Sequence, residues 1–224
     1  MTAIGFFGGT FAPIHNGHLR LALELKDTLS LDEVRLTPSA KPPHRAQPGI
    51  CAGRRLDWVR LAIGDEPGLV ADDRELRRVA ATGRPSYTID TLAELRAEHP
   101  HAALFLLIGD DAANGLHAWH RWLDLLDSAH LIVASRPGSG FAPDTRVASA
   151  LAGRKAATVR ALHEQPAGLW LPVEVPGLAI SSTRIRHLLH TGRSLRGLVP
   201  EAVIRSLTPE DVRALTIEET AIHD

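Results

Sequence analysis

Two histidines three residues apart, His15 and His18, follow a pair of glycines in the stretch GGTFAPIHNGHLR, which begins at Gly8. A short apolar run, AIGFF, precedes this stretch, and a run with regularly spaced leucines follows it. This order predicts a strand, a glycine-rich turn and a helix. Glycines let the backbone approach a ligand closely, and a helix N-terminus favours anions. Because imidazoles can donate to phosphate oxygens, the turn is a candidate site for phosphoryl-group chemistry.

Two alternatives exist for these histidines. The simpler one is a plain glycine turn with histidines on the surface, which is the usual explanation of a lone glycine pair. The other is a metal site. The chain has three H-x-x-H pairs, which are His15/His18, His117/His120 and His187/His190. Zinc normally takes three or four protein ligands, often including cysteine. No further ligand with a recognisable spacing lies near any of the pairs, so we predict no metal held by protein ligands.

A second candidate anion site is the stretch ISSTRIR, which ends at Arg186. Ser181 or Ser182 is a suitable N-cap for the helix that follows. A capped helix with a basic first turn is the simpler explanation. However, arginines in a first turn oppose the helix dipole, so a bound anion would explain them better.

Two stretches between these sites also combine turn residues with polar groups. PSAKPPHR places Lys41, His44 and Arg45 in a proline-stiffened loop that could hold a monophosphate, although a solvated surface loop explains it equally well. RPSYTIDTL predicts a loop that runs into a helix, with Ser86 or Thr88 as the N-cap.

Five apolar runs are predicted to be buried strands, and these are Ala3–Phe7, Glu33–Thr37, Leu104–Ile108, Leu131–Ser135 and Leu169–Val175. Stretches with helical spacing alternate with them, namely Gly17–Leu29, Gly53–Ile63, Thr88–Ala97, Trp119–Asp127, Arg154–His163 and Ser182–His190. This alternation predicts an α/β fold, a parallel sheet with helices on both faces. Ligands of such sheets bind beyond the carboxyl ends of the strands. SRPGSGFAPDTR is predicted to be a surface loop.

Composition narrows the class of protein. Of the 224 residues, 44% are hydrophobic and 23% charged, which suits a packed core, and the net charge of -1 argues against general nucleic-acid binding. The one cysteine, Cys51, allows no intramolecular disulfide. No apolar run approaches the length of a membrane span, so we expect a cytoplasmic protein without membrane association. We expect one domain over 1–224, with a helical part at about 181–210 and an acidic tail at about 217–224. The oligomeric state stays open, with a homo-oligomer as one option.

Taken whole, GGTFAPIHNGH resembles the first signature of the H-x-G-H nucleotidyltransferase superfamily. It is most similar to the bacterial nicotinate-mononucleotide adenylyltransferases, whose pattern reads G-G-T-F-D-P-x-H-x-G-H. Ala12 stands where that family has aspartate. ISSTRIR matches the family's I-S-S-T-x-I-R signature, and PPHR, PSYTIDT and AWHRW resemble its intermediate elements. The resemblance extends from about Ile4 to Leu207 and implies a Rossmann-like, doubly wound sheet.

The resemblance also implies roles for individual residues. His15, His18 and Arg186 are expected to act in catalysis. The expected ATP-binding residues are Gly8, Gly9, Thr10, Phe11, Asp111, Arg136, Ser181, Ser182 and Thr183. The expected mononucleotide-binding residues are Lys41, His44, Arg45, Tyr87, Thr88 and Trp119, with backbone N–H groups near Tyr87 and Thr88 facing the nicotinate carboxylate and Trp119 stacking on the pyridine ring. His120 has no clear assignment, and Trp122 is expected to pack in the core.

The implied reaction is part of NAD biosynthesis. Nicotinate mononucleotide attacks the α-phosphorus of ATP, which yields nicotinate adenine dinucleotide and pyrophosphate without a covalent enzyme intermediate. Mg²⁺ would be the cofactor, held largely by phosphates and water. The alternatives are adenylyl transfer to another phosphate ester, such as nicotinamide mononucleotide or phosphopantetheine, and a nucleotide sensor without activity. Ala12 is the one feature that favours the sensor.

Overall fold

The computed structural model describes residues 1–41, 49–135, 140–176 and 178–220, with side chains up to residue 216. Its six strands form one sheet, and every adjacent pair is parallel. The strands are β1 Ala3–Gly9, β2 Glu33–Pro38, β3 Leu69–Ala71, β4 Ala103–Gly109, β5 His130–Ser135 and β6 Trp170–Glu174. Their order, β3-β2-β1-β4-β5-β6, is that of a doubly wound Rossmann sheet, which confirms the predicted fold class.

Eleven α-helices lie in the described parts of the chain. In order they are α1 Asn16–Thr28, α2 Ala52–Ile63, α3 Arg74–Thr82, α4 Thr88–Glu98, α5 Asp110–Asn114, α6 Leu125–Ser128, α7 Thr145–Leu151, α8 Val159–Leu162, α9 Ser182–His190, α10 Glu201–Ser206 and α11 Pro209–Thr220. Two 3₁₀ turns, Leu116–Ala118 and Trp122–Asp124, lie between α5 and α6.

The sheet is buried on both faces because its strands are apolar at consecutive positions. In β4, Phe105 and Leu107 belong to one core cluster and Leu104 and Leu106 to the other, as the two-residue period of a strand requires. Helices α1, α2, α8, α9, α10 and α11 contribute to the first cluster, and α4, α5, α6 and α7 to the second.

Two predicted helices were wrong. Over Arg154–His163 only α8 is helical, since Lys155 pairs in parallel with Trp170 and the chain there is extended. Over Trp119–Asp127 the chain forms a 3₁₀ turn and then α6, because Arg121 takes a left-handed conformation with φ 50° that interrupts any helix. The strand β3 was missed because it has only three residues.

The C-terminal helices pack onto the body of the sheet. Helix α10 contacts α2, and α11 contacts α9. Helix α11 continues through Thr220, so it includes the first four residues of the expected acidic tail, while 221–224 lie outside the described residues. The predicted surface loop gives way to α7 at Thr145. Within the described ranges, no helix combines the length and the apolar character that crossing a membrane requires.

Candidate active site

A cavity of about 390 Å³ opens beside the carboxyl ends of β1 and β4, where the strand order reverses. Parallel sheets bind ligands at this point, and the volume suits a small molecule. The expected site residues that line it are Gly8, Gly9, Thr10, Tyr87, Thr88 and Trp119. The turn after β1 and the start of α4 thus face the same space, although they are far apart in sequence.

His15 and His18 form a reciprocal cap at the start of α1. The Nδ1 atom of each ring accepts the backbone N–H of the other residue at 3.3 Å, and the rings stack with centroids 3.6 Å apart. An Nδ1 that accepts cannot carry a proton, so the neutral ring carries its proton on Nε2. The helix cap therefore fixes the tautomer and leaves each Nε2–H as a donor for a ligand.

Burial keeps both imidazoles neutral. It lowers the pKa of His15, which is 5% exposed, to about 4. Burial and then the neighbouring His15 lower the pKa of His18 well below its ordinary value. The Phe11 ring packs against this pair in a T-shaped contact with the His18 ring, and the two ring centroids are 5.0 Å apart. At neutral pH the pair thus offers hydrogen-bond donors without a full positive charge.

The second signature is bonded directly to the first. Ser181 caps α9 by accepting the N–H of Arg184 at 3.2 Å, as its sequence position predicts. The Ser182 hydroxyl donates to the carbonyl of Pro13 at 3.1 Å. Arg186 donates through Nη1 to the carbonyl of Ala12 at 3.2 Å. The start of α9 is therefore held against the turn that carries the histidines.

Arg186 keeps donor capacity beyond this contact. Its Nη2 donates to the Thr183 hydroxyl at 3.3 Å, while its buried Nε has no partner in the described parts of the chain. Ala12 contributes its backbone carbonyl to the junction and buries its methyl group in the core. The junction therefore forms without a carboxylate at position 12.

The expected cap of α4 was wrong. Tyr87 is the N-cap residue, and no side chain caps the helix. The Ser86 hydroxyl instead accepts the N–H of Lys41 at 3.2 Å, and the Ser86 N–H donates to the Lys41 carbonyl at 2.9 Å. As a result, the N-terminus of α4 meets the cavity without a capping side chain, and an anionic ligand can take that place.

Glu75, at the start of α3, is a cavity residue that the sequence analysis missed. It is 4% exposed, and its carboxylate accepts the N–H of Ala40 at 3.3 Å and the hydroxyl of Thr91 at 3.1 Å. Ser86 also hydrogen-bonds to it, and burial raises its pKa. No motif isolates this glutamate in RELRRV; only its burial and partners do.

Aromatic groups form another part of the cavity wall. Trp119 lines the cavity, and the ring of His120 beside it packs against that of Tyr87, with centroids 4.1 Å apart and the planes tilted by 31°. Trp122 packs against the core cluster on the α4 side of the sheet, as expected. His120 therefore links the start of α4 to the segment that carries Trp119.

Asp111 and Lys41 are expected site residues that do not line the cavity. Asp111 is exposed at the start of α5, and its N–H donates to the buried Asp110 at 2.9 Å. Lys41 donates through Nζ to the Gly83 carbonyl at 3.0 Å. The predictions for three basic residues fall outside the described residues, and these are His44, Arg45 and Arg136.

Comparison with known proteins identifies the family of this chain. The family described as Cytidylyltransferase-like matches residues 6–188. Two relatives are named "Probable nicotinate-nucleotide adenylyltransferase". The one from Aeromonas salmonicida (strain A449) is 48% identical over 89% of this chain and 92% of its own length. The one from Pseudomonas entomophila (strain L48) is 46% identical over 93% of this chain and 94% of its own length. The chain belongs to the cytidylyltransferase-like family. Within that family, it belongs with the nicotinate-nucleotide adenylyltransferases, whose members it matches over about nine tenths of its length.

A solved structure supports the fold independently. "Plasmodium falciparum nicotinic acid mononucleotide adenylyltransferase complexed with NaAD" superposes with a TM-score of 0.64, covering 100% of this chain and 99% of its own. The two sequences are 13% identical. At that identity the likeness shows the shared α/β fold, and the assignment to a group rests on the bacterial relatives.

Proposed function

We propose that this protein transfers the adenylyl group of ATP to nicotinate mononucleotide, which gives nicotinate adenine dinucleotide and pyrophosphate. One observation carries the proposal: Ser182 and Arg186 bond the start of α9 to the turn that carries His15 and His18. The donors suited to a triphosphate are thereby gathered beside the turn after β1, where Gly9 and Thr10 line the cavity. The names of the relatives supply the substrate class.

The nucleophile in this reaction is a phosphate oxygen of the mononucleotide. It forms a bond to the α-phosphorus of ATP, the bond from that phosphorus to the β-phosphate oxygen breaks, and pyrophosphate leaves with the electron pair. A phosphate monoester has a second pKa of about 6, so the nucleophile is already ionised at neutral pH and needs no general base. The protein then has to align two polyanions and stabilise charge on the leaving group.

His15, His18 and Arg186 suit that task. The two Nε2–H groups are donors fixed by the α1 cap, and Arg186 adds a full positive charge at the start of α9. Neutral imidazoles that donate do not have to lose a proton before the next turnover. Fixed donors of this kind stabilise developing charge at little reorganisation cost.

Mg²⁺ is the cofactor that we propose for the triphosphate. Within the described ranges, no cluster of three or more His, Cys, Asp or Glu side chains could hold a metal ion. Ala12, where the family pattern has aspartate, offers no carboxylate to a cation. The ion would therefore be held by ATP phosphates and water, and when bound it would neutralise charge on the β- and γ-phosphates.

The mononucleotide fits the cavity by the same reasoning. The uncapped N-terminus of α4 favours a carboxylate over a neutral amide. Trp119 offers a flat surface for the pyridine ring. We therefore assign the nicotinate end to the α4 side of the cavity and the phosphate end to the Thr10 side.

The test is pyrophosphate release with ATP and Mg²⁺, with nicotinate mononucleotide and its amide compared as acceptors. We expect release with both nucleotides present and a clear preference for the acid. Equal use of acid and amide would retain adenylyl transfer but contradict the assignment of the carboxylate to α4. Phosphopantetheine is the control for a different acceptor. ATP binding by calorimetry without release from any acceptor would favour the sensor.

A further inference from the structure

Arg55, in the second turn of α2, is a buried arginine outside every motif described above. It is 1% exposed, and its guanidinium donates to three backbone carbonyls. Nη1 bonds to Thr10 at 2.6 Å, Nη2 to Ser39 at 2.6 Å and Nε to Ile50 at 3.3 Å. One side chain thus joins the turn after β1, the chain after β2 and the residues that precede α2.

The charge of Arg55 has no direct counter-charge in the described parts of the chain. Its three hydrogen-bond partners there are neutral carbonyls, while Glu75 and Cys51 act on it only through longer-range electrostatics. Burial lowers its pKa, yet arginine side chains stay protonated in proteins. A buried charge without an opposite charge is costly to folding. The neighbouring Arg54, by contrast, pairs with Asp211 at 2.7 Å.

We infer that Arg55 is a positioning residue for the phosphate groups of both substrates, an inference that rests on the proposed function. Two of its partners, Thr10 and Ser39, line the cavity. Bound phosphates would supply the negative charge that the folded protein itself does not place beside Arg55.

Carbonyl orientation is the second part of this inference. Each carbonyl oxygen that accepts from Arg55 is directed at α2, so it does not turn toward the ligand space. A carbonyl oxygen facing a phosphate would repel it, and loss of Arg55 would free Thr10 and Ser39 to rotate. We therefore expect the effect of Arg55 to appear in the binding of both substrates.

The experiment compares R55M, R55K and the control R54M. R54M removes an arginine from the same helix, one that bonds to Asp211 and Ser206 of the C-terminal region and not to the cavity wall. Thermal unfolding reports folding, calorimetry gives affinities for ATP and for nicotinate mononucleotide separately, and steady-state rates give KM and kcat for each.

We expect R55M to bind both nucleotides at least tenfold more weakly than the unmodified protein, and R54M to stay within twofold. R55K keeps the charge but reaches fewer carbonyls, so its affinities should fall at least threefold and stay above those of R55M. If R55M binds both nucleotides as tightly as R54M does, the inference is wrong. If R55M does not unfold cooperatively, unchanged affinities in R55K overturn the inference and weakened ones support it. Absence of pyrophosphate release from the unmodified protein would contradict the proposed function, whereas ATP affinity still tests Arg55.

Discussion

The histidine pair shows how a backbone hydrogen bond can set the chemistry of a side chain. His15 and His18 cap α1 through their Nδ1 atoms, which leaves Nε2 as the protonated nitrogen of each ring. Stacking at 3.6 Å also disfavours a charge on both rings at once. The same hydrogen bonds therefore cap α1 and fix the Nε2–H group of each ring as a donor.

H15N separates these two roles. Asparagine is a good N-cap, so its side-chain oxygen can accept the His18 N–H, but it has no group in place of the Nε2–H donor. We expect kcat to fall by roughly 10²–10³, as for other losses of one fixed donor to a transition state. H15A should match H15N in kcat and be less stable by about 1 kcal/mol, because it also loses the cap. A kcat for H15N within twofold of the unmodified enzyme would contradict the donor role.

The lowered pKa of His15 makes stability depend on pH. The folded protein keeps this ring neutral down to about pH 4, whereas the unfolded chain binds a proton near its ordinary pKa of 6.5. The unfolded state therefore takes up more protons between these values, and stability is lost as pH falls from 6.5 toward 4. A shift of this size corresponds to about 3 kcal/mol.

Urea unfolding at several pH values measures this effect. The free energy of unfolding should fall more steeply below pH 6.5 for the unmodified protein than for H15N. Parallel curves for the two proteins would mean that His15 titrates normally in the folded state.

Trp119 allows a test of ring stacking at the cavity. W119A should raise KM for nicotinate mononucleotide by roughly 5- to 150-fold, since stacking of a base on an aromatic side chain contributes about 1–3 kcal/mol. KM for ATP should stay within twofold, and W119F should recover most of the loss. A raised KM for ATP with an unchanged KM for nicotinate mononucleotide would refute the stacking role.

At the scale of elements, Glu75 connects α3 to two neighbouring segments. It accepts hydrogen bonds from Ala40, after β2, and from Thr91, in α4. Lys41 and Ser86 add a reciprocal pair of bonds between the same two segments. The segment that leads into the basic loop and the start of α4 are therefore held together.

E75Q replaces one accepting oxygen with an NH₂ group, which then faces another donor. The start of α4 should shift relative to Ala40, so KM for nicotinate mononucleotide should rise several-fold while KM for ATP stays within twofold. E94Q is the matched control, because Glu94 pairs with Arg78 at 2.9 Å without contacting Ala40 or Ser86. Equal kinetic effects in both variants would show that Glu75 has no special positioning role.

At the scale of the whole molecule, the C-terminal helices share the core of the sheet. Ile185, Val203 and Leu215 belong to the same buried cluster as Phe7 of β1 and Leu25 of α1. The Arg54–Asp211 ion pair at 2.7 Å also joins α2 to α11. A fragment ending before α9 would expose this shared surface to water, so we propose that the chain folds as one domain.

One cooperative transition should follow from that shared core. Unfolding followed by far-ultraviolet circular dichroism and by tryptophan fluorescence should give the same midpoint, and D211N should lower both midpoints equally. Two separated transitions, or a D211N effect in one probe only, would indicate that the C-terminal helices unfold independently.

Local sequence patterns predict the fold class, the turn after β1 and the start of α9. Five apolar runs that alternate with helical stretches are typical of a parallel sheet covered on both faces. A glycine-rich turn marked the start of α1, and a capping serine marked the start of α9. These features are local, so spacing and residue type suffice to predict them. The strand β3 was missed because it has only three residues. The helix predicted over Arg154–His163 was wrong because the pairing of Lys155 with Trp170 overrides local preference there.

The remaining features could not be predicted from the sequence, because they depend on contacts between residues far apart in the chain. The junction of Ser182 with Pro13, the Glu75 contacts with Ala40 and Thr91, and the burial of Arg55 all join separate segments. A glutamate or an arginine on a helix looks solvent-exposed in sequence, and burial with specific partners is what gives it another role. The cap of α4 shows the same limit, since Ser86 bonds to Lys41 in preference to its own helix.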